Sequence, residues 1–368
     1  MINYSELGLP IFDVEFKRKS DTFIQRGTQG IVCAIVQDSK LEKNKIHEYR
    51  KFKDVMKDES KLDEKTKKLL KLIFKSDFRK LIVVSVADLN GDYESNEELQ
   101  EALNTIKFIK WNYLVLPGLN KKNNESIVKF VEKYRDFYRP ARAILANYTD
   151  SEGVGKKFIY NFTTDNVKSE GEVYSASEYT CRIAGILAGD RFSITGYELD
   201  DVTSADIKDN PDEAVKKGEI FIVTDGDDFS ISRGITSLIK PGKDDIADFK
   251  KIRIVETADT IYEDIKVTWK KKFKGKYMGT YKNKLVFFAA VRNYLAALEK
   301  ISILDDRGEN KLEIDIEENE RYLRELGKNV DEMTDAEIKE ANTGSYLLAK
   351  GNLLIADALE DLKISFYL

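Results

Sequence analysis

The chain closes on Leu362-Lys363-Ile364-Ser365-Phe366-Tyr367-Leu368, where Leu362, Ile364, Phe366 and Leu368 share one face. That period of two marks a half-buried strand, at a position where chain ends are usually polar and frayed. Near the other end, Ile11–Lys17 repeats the pattern, with Phe12, Val14 and Phe16 alternating against Asp13, Glu15 and Lys17. A segment so patterned either tucks into its own sheet or is lent to a neighbour. Between the two ends the periodicity changes. Ile31–Val36 is a continuous apolar run, expected to be a buried strand. The charged segment Lys40–Lys68 reads as a solvated amphipathic helix, and Lys61–Phe74 as a helix with Leu62, Leu69, Leu70 and Ile73 inward.

From Leu81 strands and helices alternate. Leu81–Val86, Tyr113–Leu116, Ala143–Ala146 and Glu219–Val223 read as short buried strands. Between them, Leu99, Leu103, Ile106 and Ile109 mark one helix, and Ile127, Phe130, Val131, Tyr134 and Tyr138 another. Ser175–Ala188 is a third, whose Ala184, Gly185 and Ala188 permit close packing, and Phe229-Ser230-Ile231 returns as a hairpin. This alternation predicts an α/β fold: a mixed, largely parallel sheet with helices on both faces. Past Ile252–Val255 the pattern is richer in long helices. One begins near Thr257 with Ile261, Ile265 and Trp269; another carries Leu285, Phe288, Val291, Leu295 and Leu298. Leu312–Ile316 reads as a strand and Glu317–Lys339 as solvated helices, giving a smaller α+β C-terminal domain. Internal repeats and Pro-rich linkers are missing from the pattern.

Composition narrows the function classes. With 368 residues, 42% apolar and 34% charged, the chain can bury a large core under a heavily charged surface. A net charge of −5 argues against general nucleic-acid or anionic-membrane binding. No secretory signal or apolar run of transmembrane length stands out, so a soluble chain made in the cytosol is expected. Cys33 and Cys181 sit in apolar surroundings and read as small core residues. His47 is the one histidine, in a charged segment with no nucleophile or carboxylate patterned around it, so a Ser-His-Asp site is not expected.

Gly153-Val154-Gly155-Lys156-Lys157 resembles half of a phosphate-binding loop. Asp150 stands where the first Gly belongs and Lys157 where Ser or Thr belongs, so a plain turn is expected. Asp225-Gly226-Asp227-Asp228 lacks the spacing of a calcium loop and reads as an acidic hairpin turn. No cofactor or metal is expected. The sharpest charge anomaly is Lys270, Lys271, Lys272, Lys274 and Lys276, interleaved with Trp269, Phe273 and Tyr277. It fits a solvated helix C-terminus, an acidic protein partner or a nucleic acid.

Several further segments, taken together, resemble the contractile tail sheath proteins of myophage-type phages and R-type bacteriocins, most closely those of clostridial and bacillar phages and phage-tail-like particles. They include Gly8-Leu9-Pro10, Gln25-Arg26-Gly27, Lys110-Trp111-Asn112-Tyr113, Asn161–Asn166, Tyr179–Gly189, Arg233–Leu238, Lys250–Glu256, Tyr281–Leu285 and Glu340–Ser345, in order along nearly the whole chain. The resemblance implies a non-enzymatic polymer: stacked six-fold rings around a tail tube, built from the baseplate and closed by a terminator, contracting to drive the tube through a cell envelope. It implies a subtilisin-like fold for the α/β domain without the protease chemistry. It also implies terminal arms that add strands to neighbouring subunits, carried here by Phe12, Val14, Phe16, Leu362, Ile364, Phe366 and Leu368. The lysine cluster becomes a candidate contact to the tube. The expected layout is an N-terminal arm over 1–25, the α/β domain over 26–245, a tube-proximal domain over 246–343 and a C-terminal arm over 344–368. Neither nucleic acid nor membrane is an expected partner, and the expected location is a virion tail or tail-like particle assembled in the host cytoplasm. Two other readings stay open: a different phage structural protein, and an α/β enzyme with its pocket at the C-terminal ends of the strands.

Overall fold

The apolar run after Gly30 is satisfied only by cover on both faces. The computed structural model, which describes residues 30–137, 140–189, 193–242 and 245–366, places it as an interior strand of a seven-stranded sheet. The described chain forms two compact units. The larger runs through Glu263 and regains the chain from Ala358; the smaller is Asp264–Asp357. Phe12, Val14, Phe16 and Leu368 lie outside the described residues.

In the larger unit the elements are β1 (Ile31–Gln37), β2 (His47–Tyr49), α1 (Phe52–Lys57), α2 (Glu64–Ile73), β3 (Lys80–Val86), α3 (Glu97–Ile106), β4 (Tyr113–Val115), α4 (Asn124–Asp136), β5 (Arg142–Ala146) and β6 (Ile159–Phe162). There follow β7 (Val167–Ser169), β8 (Glu172–Tyr174), α5 (Ala176–Ala188), β9 (Val202–Ser204), α6 (Pro211–Lys216), β10 (Glu219–Ile220), β11 (Ile222–Thr224), β12 (Phe229–Ile231) and α7 (Ile252–Thr268). The large sheet runs β10-β6-β5-β4-β1-β3-β2, parallel except for β2, which pairs antiparallel with β3. Alternate residues of β1 serve opposite faces. Val32, Ala34 and Val36 join α2 and α5 in one apolar cluster, and Ile31, Cys33 and Ile35 join α3 and α4 in the other. This is the mostly parallel, doubly covered sheet that the alternation predicts.

Local chemistry sets the packing. Ser175 and Glu178 form a capping box that starts α5. At Gly185 a Cβ would lie 2.3 Å from the Ile73 carbonyl oxygen, so α5 lies against α2 at a distance only glycine allows. Cys33 and Cys181 are fully buried, as expected of core residues.

Three expectations change. The segment Lys40–Lys68 is not one helix: it holds β2, α1 and a 3₁₀ turn at Glu59–Lys61 before α2 begins. The chain is instead drawn onto the sheet edge, where β2 pairs with β3 and buried Tyr49 stands opposite Leu81. The predicted strand Glu219–Val223 is two strands in different sheets. The chain leaves the large sheet at buried Phe221, and β11 pairs with β12 instead. The helix expected near Thr257 starts at Ile252, because Ile252, Ile254 and Val255 are buried and the Ile252 N–H donates to Gly234 O at 3.0 Å.

The smaller unit takes the last turn of α7, a π-helical turn at Trp269–Phe273, α8 (Tyr281–Lys300), β13 (Lys311–Ile314), α9 (Ile316–Glu325), α10 (Asp335–Glu340) and β14 (Ala349–Asn352). β13 and β14 form a two-stranded antiparallel sheet. Phe288, Val291, Leu295 and Leu298 of α8 are buried as predicted, whereas Leu285 is 45% exposed and belongs to the solvent face.

Candidate assembly surfaces

The polar groups at the switch point of the large sheet bond to one another and to the backbone. The strand order reverses around β1, where an α/β enzyme would hold its ligand. There Asp38 is buried and accepts the N–H groups of Lys40 (2.8 Å), Leu41 (2.9 Å) and Asp63 (2.9 Å). Burial pushes its pKa up, but the hydrogen bonds it accepts outweigh this and hold it below the ordinary carboxylate value. Ser85 Oγ donates to Asp38 O at 2.9 Å, and Ser177 Oγ accepts the Gly118 N–H at 2.8 Å. These groups tie loops together. His47 sits on edge strand β2, opposite Val83.

The two short motifs are turns, as expected. Asp150 Oδ2 accepts the N–H groups of Val154 (2.8 Å) and Gly155 (2.7 Å), the role a nucleotide phosphate would otherwise take. Asp225 Oδ1 accepts from Asp227 and Asp228 N–H at the β11–β12 turn. Among the described residues no group of three or more His, Cys, Asp or Glu is placed to hold a metal, and no helix is long and apolar enough to cross a membrane.

The C-terminal segment is exposed and apolar. After β14 the chain is held by Asp305 N–H to Leu354 O (2.8 Å), Leu354 N–H to Asn310 Oδ1 (2.7 Å) and Ala356 N–H to Ile303 O (3.0 Å). Residues 356–366 then belong to no strand within the subunit. Leu362 and Phe366 are 85% exposed and Ile364 59%. The alternation is present but unpaired: a strand exists only by a ladder, and no described strand lies beside it. The β13–β14 sheet, against which α8 packs, likewise has no third strand among the described residues. Two-stranded sheets are marginal on their own.

Lys270, Lys271, Lys272, Lys274 and Lys276 all lie exposed around the π-helical turn, the helix end that lysines complement electrostatically. Their aromatic neighbours pack on one another and on Phe287, with Tyr277 at the exposed edge. Phe273 is buried, with Phe287 edge-on at 5.1 Å and Tyr277 stacked at 5.0 Å; Trp269 meets Phe287 at 5.2 Å. Rings used this way are not a base-stacking platform, so the cluster offers charge rather than aromatic faces.

A tail sheath protein of Clostridium phage phiCD119 is 32% identical over 368 residues, covering 97% of this chain and 98% of the relative. The chain belongs to the phage tail sheath family. Residues 244–367 of this sheath-family chain match the phage tail sheath C-terminal domain. Its fold is that of the sheath tail protein of Desulfitobacterium hafniense (TM-score 0.67, 15% identity, 78% of this chain and 91% of that one). It is also that of the anti-feeding prophage helical sheath in its contracted state (TM-score 0.67, 14% identity, 92% and 93%). The family is one of structural tail components.

One feature of this sheath fold is invisible in the sequence pattern. Asp259 of α7 takes a bidentate pair of bonds from Arg135 (2.9 and 3.0 Å) and another from Arg142 (2.7 Å). One turn earlier, Glu256 accepts from Tyr113 OH at 2.7 Å. The first half of α7 is thereby riveted to the starts of β4 and β5 and the end of α4. Burial would raise the Asp259 pKa, but the Arg142 and Arg135 guanidinium groups hold it below its ordinary value.

Proposed function

We propose that the chain is the repeating subunit of a contractile sheath: non-catalytic, polymerising as stacked six-fold rings around a tail tube, and shortening to drive that tube through a target envelope. The observations that carry this reading are the exposed alternating stripe Leu362, Ile364 and Phe366 and, separately, a sheet that has two strands among the described residues. Each half lacks what the other supplies. A segment donated from one copy to the β13–β14 sheet of another forms a ladder whose main-chain bonds make the join and whose side-chain alternation fixes register. About four ladder bonds at roughly 1 kcal/mol each, plus three or four apolar side chains at about 1.5–3 kcal/mol each, give several kcal/mol per arm before ordering costs. Residues 1–25 and 344–368 are the arms in this reading, 26–245 the main body and 246–343 the tube-proximal part.

Such joints hold while rigid bodies rotate, with the roots of the arms as hinges. Contraction replaces weak lattice contacts by larger ones, so the extended state is a kinetic trap. The partners are further copies of this chain, the tube, the baseplate and a terminator; assembly takes place in the host cytoplasm and the product is a virion tail or tail-like particle. Deleting Lys363–Leu368 tests the reading: the truncated chain should keep its far-ultraviolet spectrum and thermal midpoint yet form no striated sleeves by electron microscopy. An unfolded truncation, or sleeves of normal yield, would remove the strand-donation argument. Discrete closed particles from the full chain would favour a different virion component.

A further inference from the structure

Beyond Ala358 the chain is seated on the larger unit by its acids while its apolar side chains face solvent. Glu360 Oε1 accepts from Ser193 Oγ (3.0 Å) and Thr195 Oγ1 (2.7 Å), with Arg233 Nε 3.8 Å from the other carboxylate oxygen. Asp361 pairs with the same guanidinium from the solvent side. The Glu360 side chain is 9% exposed; Leu359, Leu362 and Phe366, by contrast, are largely in water. The receptor is built in advance. Thr195 Oγ1, which grips Glu360, also accepts the Gly234 N–H at 2.9 Å, so the 193–195 loop and the residues after β12 are fixed to each other.

We infer that Arg233, with Ser193 and Thr195, is a clasp that fixes where and in which direction the C-terminal segment leaves the subunit, and so selects which neighbouring copy of this chain receives it. The inference rests on the strand-donation reading. A segment folded back for storage would bury its apolar stripe; this one buries a carboxylate and presents the stripe. A desolvated carboxylate needs its charge and hydrogen-bond partners, so with Arg233 opposite, a neutral or basic residue would not seat at 360. Pinning Glu360 leaves eight residues to Leu368, a reach of at most roughly 29 Å. That confines the donated strand to a nearby acceptor and raises its effective concentration there.

The test uses the full chain and two readouts. Sleeve yield is measured by sedimentation and electron microscopy. Segment position in the unassembled subunit is measured as the distance distribution between spin labels at Leu362→Cys and Asp225→Cys, with Cys33 and Cys181 buried. Arg233→Glu should broaden the distribution and cut sleeve yield at least tenfold, and Arg233→Glu combined with Glu360→Arg should restore both. If Arg233→Glu destabilises the body, Glu360→Gln with Asp361→Asn removes the same pairing from the exposed segment and carries the same expectation. Sleeves at parental yield with the pairing removed, or a charge swap as defective as Arg233→Glu, would overturn the clasp. The Lys363–Leu368 deletion separates the two ideas: if it abolishes sleeves while the clasp variants assemble normally, the clasp falls and strand donation stands.

Discussion

Arg142 is 5% exposed at the start of β5, and a guanidinium so placed survives only with its counter-charge. Asp259 supplies it and is itself shared with Arg135. Asp259→Asn should therefore lower the stability of the larger unit by about 3–5 kcal/mol, since it strands a buried cation. Urea titration followed by tryptophan fluorescence of buried Trp111 reads the loss, and a change near zero would mean the rivet is ornamental. The pH sense follows from the depressed carboxyl. Its contribution is complete above the ordinary value of 3.8 and disappears as pH falls through the lower folded value, so the parent should lose more stability in that acid range than the Asn variant, which keeps the other depressed carboxylates such as Asp38. Nothing in the sequence forecasts this pairing: Arg142 and Asp259 are 117 residues apart and each reads locally as a surface charge. Cys33, Cys181 and the Asp150 turn were legible because their roles depend on immediate neighbours.

At the scale of elements, long periodic runs are legible and short ones are not. β1, β3, α2, α3, α4 and α8 each carry enough repeats to declare period and cover. The three-stranded β8-β7-β9 sheet is built from three-residue strands with half their side chains exposed, too short for a period to register. Glu219–Val223 misleads for the opposite reason: a continuous apolar run hides the point where the chain changes sheets. Lys284 of α8 illustrates a similar blind spot in the smaller unit. It reads as a solvated helix lysine but is 5% exposed, donating to Thr343 Oγ1 at 2.6 Å and so pinning the turn that leads toward β14. Burial lowers its pKa below the ordinary 10.5. Between the folded value and 10.5 the unfolded chain binds more protons, so stability should rise with pH across that window. Denaturation of the parent and Lys284→Met from about pH 8 to 11 checks this; the methionine variant should lack the rise, and a rise that persists would assign it to another group.

For the whole molecule, the informative contrast is an acidic chain, net −5, with five exposed lysines crowded around one helix end. Exposed charges contribute little to folding, so selection for stability does not account for their crowding. A sliding or breakable grip on another surface would, because charge–charge attraction across water is long-ranged and weakly directional, and its contacts can exchange without repacking a core. On the proposed reading, a sheath that holds a tube before contraction and releases it during contraction would need that kind of contact, whereas its subunit-to-subunit joints would need the opposite, directional ladders that survive rotation. The proposal assigns the two demands to chemically different surfaces of this chain, lysines at 270–276 and apolar alternation at 362–366. Changing Lys270, Lys271 and Lys272 to Glu should cost the fold only about 0.3–1 kcal/mol per site through the helix dipole. It should, however, abolish coating of purified acidic tubes, measured by co-sedimentation. In the parent, coating should weaken as salt shortens the screening length to roughly 10 Å at 0.1 M and below that at higher salt. Tubes coated equally by the glutamate variant, or parental coating indifferent to salt, would move the tube contact to another surface and leave the strand joints as the part of the assembly argument still standing.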